Sequence, residues 1–341
     1  MINKNPKVTV LMPVYNGEKY LREAIESILN QTFTDFEFLI VNDGSTDKSE
    51  EIINSYKDSR IRLVNNEMNK GVVFSLNKGL DLAKGKYVVR MDNDDISLPK
   101  RLETQVEFMK KHPEIGVAGA WAKTIGNKNK KYIKTYFNIE KIKANLLFGT
   151  SVIHPSVIID KERINKYNLR YSENCRYAED YDLWSRSIKY FSITNINKVL
   201  LLYRDHDSNL SKIVSKENIQ TSVQIRKKQL KENLDIDPSN EDMIIHQSIY
   251  RPKNINLQDY LKRKEMWFNK LIEQNKKTKF YKEPEFSQVL AQRWLKICSV
   301  NSNKDFKIFK YFWKSGLRKK LDWKEFESWK MTSRFFIKCL I

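Results

Sequence analysis

Apolar runs and polar, turn-forming stretches alternate along the N-terminal part of the chain, and their spacing predicts repeated strand-loop-helix units. Val8 to Met12 reads as a strand, which Pro13-Val14-Tyr15-Asn16-Gly17 turns into a helix with apolar positions at Leu21, Ala24, Ile25, Ile28 and Leu29. A second strand, Phe36 to Val41, runs into Asn42-Asp43-Gly44-Ser45-Thr46-Asp47 and a helix through Ile52, Ile53 and Tyr56. Ser45, Thr46 or Asp47 can cap that helix. Ile61 to Val64 is a third strand, followed by Asn69-Lys70-Gly71 and a helix from Val72 to Ala83. The fourth strand, Lys86 to Met91, is bounded by Gly85 and ends in Asp92-Asn93-Asp94-Asp95. Beyond it come a helix from Arg101 to Lys111, an apolar strand from Ile115 to Trp121 and a lysine-rich stretch, Lys123 to Lys134, expected to be a loop. From about Lys216 the pattern turns helical, polar and basic, without strand signals. A domain boundary is therefore expected near Ser211, giving domains 1–211 and 212–341.

This alternation implies an α/β fold with a mostly parallel sheet, helices on both faces and right-handed crossovers, followed by a helical C-terminal region. The architecture suits nucleotides, which bind in the crevice beyond the carboxyl ends of the strands. No Gly-x-Gly-x-x-Gly follows the first strand and no Gly-x-x-x-x-Gly-Lys-Ser/Thr loop occurs, which argues against a dinucleotide enzyme or a P-loop NTPase.

Asp92, Asp94 and Asp95 thus stand together at a strand's C-terminal end. Their mutual repulsion is relieved by a divalent cation such as magnesium or manganese, usually with a substrate phosphate in the shell. The plainer reading is a solvated acidic turn capping the helix that follows.

Composition adds three constraints. The chain has 341 residues, 40% hydrophobic, enough for a large domain with an appendage. Lys and Arg outnumber Asp and Glu by 62 to 42, a net charge of +20 that favours an anionic partner: nucleic acid, lipid headgroups or a nucleotide sugar. Cys175, Cys298 and Cys339 have neither disulfide-framework nor metal-site spacing, which fits a reducing cytoplasm. The apolar run Val8 to Val14 is too short for a signal peptide, and no segment approaches the ~20 apolar residues of a spanning helix, so membrane contact is expected to be peripheral.

Several ordered motifs carry a resemblance over about the first 210 residues. Pro13-Val14-Tyr15-Asn16, Asn42 to Asp47, Asp92-Asn93-Asp94-Asp95 with Pro99 and Arg101-Leu102, and Glu179-Asp180-x-x-Leu183-Trp184 together resemble family 2 glycosyltransferases, inverting enzymes of the GT-A fold. Ser75-Leu76-Asn77-x-Gly79-Leu80-Asp81, Gly119-Ala120-Trp121 and Tyr203-Arg204-x-His206 resemble bacterial lipooligosaccharide β-1,3-N-acetylglucosaminyltransferases and neighbouring capsule enzymes. Many family members have Ala-Arg-Asn in place of Ser75-Leu76-Asn77, and Ala or Ser in place of Asn93, differences that bear on the donor.

The resemblance implies a UDP-sugar donor, a glycan or lipid-linked glycan acceptor, and a Mn2+ or Mg2+ cofactor. Asp94 would ligate the metal, with His206 completing its shell. Asp92 would contact the ribose or the metal through water, and Asn93 lies between them on the nucleotide-sugar side. Asp43 would accept a hydrogen bond from the uracil imide, Pro13, Val14 and Tyr15 would wall the base, and Lys70 would meet the diphosphate. Asp180 would be the general base on the far side of the anomeric carbon, with Glu179 reaching the substrate or orienting its neighbour. On residue type alone Asp43 also reads as a turn and cap residue, the Glu179-Asp180 pair as a helix cap, and Lys70 as a solvated loop lysine. His154 lines an acceptor site or caps a strand; Trp184 reads as core.

Lys304 to Ile341 interleaves lysines and arginines with Phe306, Phe309, Phe312, Trp313, Trp323, Trp329, Phe335 and Phe336. Helices of this kind either lie in an anionic membrane interface, on the inner face of the cytoplasmic membrane, or pack their aromatics inward as a helical subdomain. Nucleic acid is not an expected partner, since no binding module is recognisable. The expected activity is transfer of a sugar, best matched by N-acetylglucosamine in β-1,3 linkage, onto a galactose-type hydroxyl of a lipooligosaccharide or capsule. The alternatives are a galactose, glucose or N-acetylgalactosamine transferase of capsule or O-antigen assembly, and a non-catalytic membrane- or polyanion-binding protein on the same scaffold.

Overall fold

The computed structural model describes residues 5–126, 131–206, 216–303 and 305–340. The expected boundary near Ser211 and part of the expected loop from Lys123 to Lys134 lie outside the described residues. The chain forms two compact units: Met1–Ile139 with Thr150–Ser222, and Glu140–Gly149 with Val223–Ile341.

In the first unit the expected alternation is present as β1 (Val8–Val14), α1 (Leu21–Leu29), β2 (Phe36–Asn42), α2 (Ser49–Asn54), β3 (Ile61–Asn65), α3 (Val72–Leu82) and β4 (Tyr87–Arg90). Then follow β5 (Ile96–Ser97), α4 (Arg101–Lys111), β6 (Ile115–Ile125), β7 (Tyr132–Ile133), β8 (Ile158–Asp160), α6 (Lys161–Lys166), α7 (Glu179–Ser187) and β9 (Ser192–Arg204), with α5 (Ile139–Asn145) leading into the second unit. One sheet in the order β3-β2-β1-β4-β8-β6-β9-β5 joins the strands, and β7 hangs on β6. Its first four strands are parallel, as expected. Beyond β4 it is mixed: β8 is antiparallel to β4 and β6, while β9 runs parallel to β6. Val8, Val10, Met12, Phe38 and Ile40 point into one core with Leu21, Ile25 and Ile28 of α1, which is why α1 repeats its apolar residues at helical spacing.

One stretch differs from the sequence expectation. Lys123, Thr124 and Ile125 continue β6, and Ala122 and Lys123 pair with Ile133 and Tyr132, so the lysine-rich stretch begins and ends in strand. The thirteen-residue β9 carries no clean alternation, because Asn195 sits inside it and donates to the carbonyls of Tyr136 (2.7 Å) and Ser151 (2.9 Å). Those bonds satisfy its amide N–H groups, while Asn195 Oδ1 is buried without a partner among the described residues.

The second unit is helical: α8 (Lys216–Leu234), α9 (Asn240–Gln247), α10 (Leu257–Thr278), α11 (Glu285–Asn301), α12 (Phe306–Lys314) and α13 (Phe326–Leu340). Ala144, Leu147 and Phe148 join its core, alongside Trp267, Phe268, Trp294, Phe312 and Phe335. Lys264 is buried yet satisfied: its ammonium donates to the carbonyls of Ile245, His246 (3.0 Å) and Ser248 (2.9 Å), which close the C-terminal end of α9. His246 stacks on Phe148, accepts from Trp267 Nε1 at Nδ1 (3.0 Å) and bonds the Leu147 carbonyl through Nε2 (3.0 Å), so it is a neutral core histidine.

Candidate active site

Strand order reverses about β1, with β2 on one side and β4 on the other, so the loops after β1 and β4 flank the crevice where α/β sheets bind ligands. The loop after β1 is laced to the loop after β2. Asn16, at φ 48°, donates its N–H to Ser45 Oγ (3.0 Å) and accepts from Thr46 N (2.9 Å); Gly17 N–H reaches Ser49 Oγ (2.9 Å) and Glu18 N–H reaches Asp47 Oδ2 (2.9 Å). A Cβ on Gly17 would lie 2.3 Å from Asn93 Nδ2, so the Asn93 side chain would have to move aside for any other residue there. Asn93 is half-buried against Gly17, while Val14 is buried, Pro13 half-buried and Tyr15 exposed.

Directly after β4, one carboxylate oxygen each from Asp92, Asp94 and Asp95 lie within 4.8 Å of one another. Arg90 Nη1 donates to Asp92 Oδ2 at 2.5 Å, and the Arg204 N–H donates to Asp95 Oδ1 at 2.8 Å. Asp95 Oδ2 is buried without a hydrogen-bond partner among the described residues. Burial, then Asp92 and Asp94, push Asp95 well above the usual carboxylate range; burial likewise raises Asp92 against the pull of Arg90. Closely spaced hard oxygens, one orphaned and two reluctant to ionise together, fit a divalent cation. His206 Nε2 lies 2.8 Å from Asp94 Oδ2, placing the imidazole at the edge of the cluster. Beneath it Arg101 is fully buried and donates to the carbonyls of Arg90 (2.7 Å) and Pro155 (2.8 Å) and to Ser97 Oγ (2.9 Å), fixing where β4 ends.

Asp43 is buried at the end of β2. Its Oδ1 accepts from Asn66 Nδ2 (2.7 Å) and the Lys70 N–H (3.0 Å), and its Oδ2 from the Gly71 N–H (2.8 Å). These bonds pin the loop that starts α3, so Asp43 has a structural task independent of any base. The Lys70 ammonium lies 4.7 Å over the Phe74 ring, on an exposed side chain. Gly44 turns at φ 67°, and a Cβ there would meet the Met68 carbonyl carbon at 2.6 Å.

Glu179 and Asp180 form the first turn of α7, after Tyr177 at φ 66°. Burial, then the charge of Glu179, push Asp180 up to about 7; burial also raises Glu179, whose Oε2 has no partner among the described residues. Arg90 acts electrostatically on both carboxyls, and Asp92 on Glu179, so the acid pair and the acidic cluster share one buried cation. Arg90 has no role in the reading of the sequence. The available signal was a charge in a four-residue strand whose positions are all buried. Tyr171 was missed too: its hydroxyl lies 2.9 Å from His154 Nε2, and Asn77 holds its backbone with two hydrogen bonds. Burial and Arg90 depress His154 well below the ordinary imidazole range. Trp184 and Tyr181 are buried, as core.

The fold and this edge of carboxylates define the GT-A class, and comparisons with known proteins agree. The profile of Glycosyl transferase family 2 matches residues 9–166. An uncharacterized glycosyltransferase of Methanocaldococcus jannaschii is 40% identical over 218 residues, covering 61% of this chain and 74% of its own length. Among solved structures, Staphylococcus aureus TarS 1–349 in complex with UDP-GlcNAc is similar at a TM-score of 0.55 and 16% identity, over 97% of this chain and 92% of that one. The mannosyltransferase PcManGT of Pyrobaculum calidifontis, in complex with GDP-Man and Mn2+, is similar at 0.52 and 12% identity, over 99% and 88%. The chain belongs to glycosyltransferase family 2 and is a glycosyltransferase.

Proposed function

We propose that the protein is a cytoplasmic, metal-dependent, inverting glycosyltransferase that moves N-acetylglucosamine from UDP to a galactose-type hydroxyl of a surface glycan, lipooligosaccharide or capsule, in β-1,3 linkage. The observation that carries the inverting reading is the position of Asp180: a half-buried carboxyl held near neutrality, sharing Arg90 with the metal-type cluster. A base poised near the working pH is effective at taking a proton in the transition state. The acceptor hydroxyl gives its proton to Asp180 as its oxygen bonds to the anomeric carbon, and the bond from that carbon to the diphosphate breaks with its electron pair leaving on UDP. Glu179 keeps the Asp180 proton affinity high. Arg90 holds Asp92 in place toward the donor.

The residues fit a divalent cation: Asp94 and His206 would hold Mn2+ or Mg2+, with Asp92 beside them, supplying charge neutralisation for the departing diphosphate. Asp43 presents its remaining acceptor capacity to the uracil imide, with Pro13, Val14 and Tyr15 against the base, Asn93 on the sugar-phosphate side and Lys70 toward the diphosphate. The first unit carries the donor chemistry and the second serves the acceptor. TarS, solved with UDP-GlcNAc, and PcManGT, solved with GDP-Man, share the fold, which supports a nucleotide sugar without choosing between donors.

The test is nucleoside diphosphate release from a panel of UDP- and GDP-sugars with Mn2+ and a lactose-type acceptor. Acceptor-stimulated release from UDP-GlcNAc supports the reading; stimulated release from another donor alone replaces its sugar, and β-1,3 linkage is checked on the product by NMR.

A further inference from the structure

Helix α13 carries one buried stripe, and of its outer residues Trp329 Nε1 donates to the Trp323 carbonyl (2.7 Å) and Lys338 to the Ser299 carbonyl (2.8 Å). Ser328, Thr332, Phe335 and Cys339 are buried, at the spacing of a single helical stripe. A second stripe, Trp329, Ser333, Phe336, Ile337 and Leu340, points outward, and its large side chains remain 57%, 39%, 52% and 61% exposed at Trp329, Phe336, Ile337 and Leu340. A third row, Lys330, Arg334 and Lys338, runs beside it at four-residue intervals. Trp329 and Phe336 also line a groove of about 900 Å3 with Trp313 and Phe309 of α12, flanked by Lys310 and Lys314. Trp313 is 47% exposed, with the Arg318 guanidinium 4.4 Å over its ring. Single exposed apolar residues are ordinary, but a stripe of four on one helix, continued by a fifth on its neighbour, marks a surface with a partner.

We propose that this face of the second unit docks on an anionic lipid bilayer, with Trp313, Trp329, Phe336, Ile337 and Leu340 entering the interface and Lys310, Lys314 and Arg334 meeting the headgroups. The charge pattern selects this occupant. An apolar stripe bordered by a cationic row matches a surface that is apolar below and negative above, and tryptophan favours that boundary. A second copy of the chain is a poorer match, because it offers the same cationic row and no anionic surface to pair with it. Among the described residues no helix is long and apolar enough to cross a membrane, so attachment is by this surface. The proposal stands apart from the donor chemistry.

The test is co-sedimentation of the full chain with vesicles of phosphatidylcholine, alone or mixed with phosphatidylglycerol. Two double variants are compared, Trp329→Ser/Ile337→Ser and Lys314→Glu/Arg334→Glu, with thermal melting as the control for folding. The wild type is expected to pellet with the anionic vesicles and to lose at least about tenfold in partitioning at high salt. The charge-reversed variant is expected to bind at least about thirtyfold more weakly, and the serine variant at least about tenfold more weakly, both melting as the wild type does. Wild type left in the supernatant at low salt, equal pelleting with phosphatidylcholine alone, or undiminished binding by either folded variant would overturn the proposal. So would sedimentation equilibrium showing a dimer that the serine variant dissociates.

Discussion

Arg90 Nη1 and Asp92 Oδ2 meet at 2.5 Å, where β4 gives way to the acidic cluster. The pair joins a strand core to a ligand edge: Arg90 is buried and Asp92 half-buried. Removing the guanidinium leaves Asp92 without this hydrogen-bond partner and takes away a positive charge felt by Glu179 and Asp180. Arg90→Met is therefore expected to cost about 1–3 kcal/mol of stability, as loss of a hydrogen bond to a charged group does. Arg90→Lys keeps the charge but not the reach of the guanidinium, and should recover part of that loss. Urea unfolding of both variants measures it; an Arg90→Met protein as stable as wild type would show that the pair holds nothing in place.

Asp43 is tested by separating loop support from base contact. Asp43→Asn turns one oxygen into an N–H group facing the amides of Lys70 and Gly71, at an expected cost of about 1–3 kcal/mol. Asn66→Ala removes one of the three donors to Asp43, together with the Asn66 bonds to Ser75 and Lys78, while leaving the Asp43 carboxylate in place. If Asp43 also accepts from uracil, calorimetric titration will show UDP binding weakened far more in Asp43→Asn than in Asn66→Ala.

Much of this site can be read from sequence because its residues end buried strands. Val8 to Val14, Phe36 to Asn42 and Tyr87 to Arg90 are compact apolar runs broken by turn residues, so their loops and the polar groups on them are located by the same signal. What escaped depends on partners distant in the chain. Asn195 inside β9 is acceptable only because Tyr136 and Ser151 offer carbonyls, and Lys123 to Ile125 are strand only because Tyr132, Ile133 and β9 flank them. Glu140–Gly149 packs with the second unit because Leu147 and Phe148 find their apolar neighbours there, a fact local pattern cannot express. Tyr171 likewise acquires its place from His154 and Asn77, not from its neighbours in sequence.

The cation site predicts a graded response. If Asp94 and His206 hold the cation, Asp94→Asn removes a carboxylate ligand and His206→Ala an imidazole that lies 2.8 Å from it. Both should weaken Mn2+-dependent UDP binding, by about tenfold or more for His206→Ala and further for Asp94→Asn. UDP binding measured without metal should be nearly the same in all three proteins. Equal Mn2+ dependence in wild type and Asp94→Asn would remove Asp94 from the metal site.

The central claim is that Asp180 is the base, and its raised proton affinity gives the sign of the pH effect. Below about 7 the carboxyl holds its proton and cannot accept another, so activity is lost as pH falls through that value and reaches a plateau above it. The most direct measurement is the pH profile of kcat/KM for the wild type beside that of Asp180→Asn, with UDP affinity measured on both. The account predicts an acid limb near 7 in the wild type, a variant slower by about 10²–10⁴ without that limb, and unchanged UDP binding. A variant that keeps wild-type turnover, or keeps the same acid limb, would contradict it.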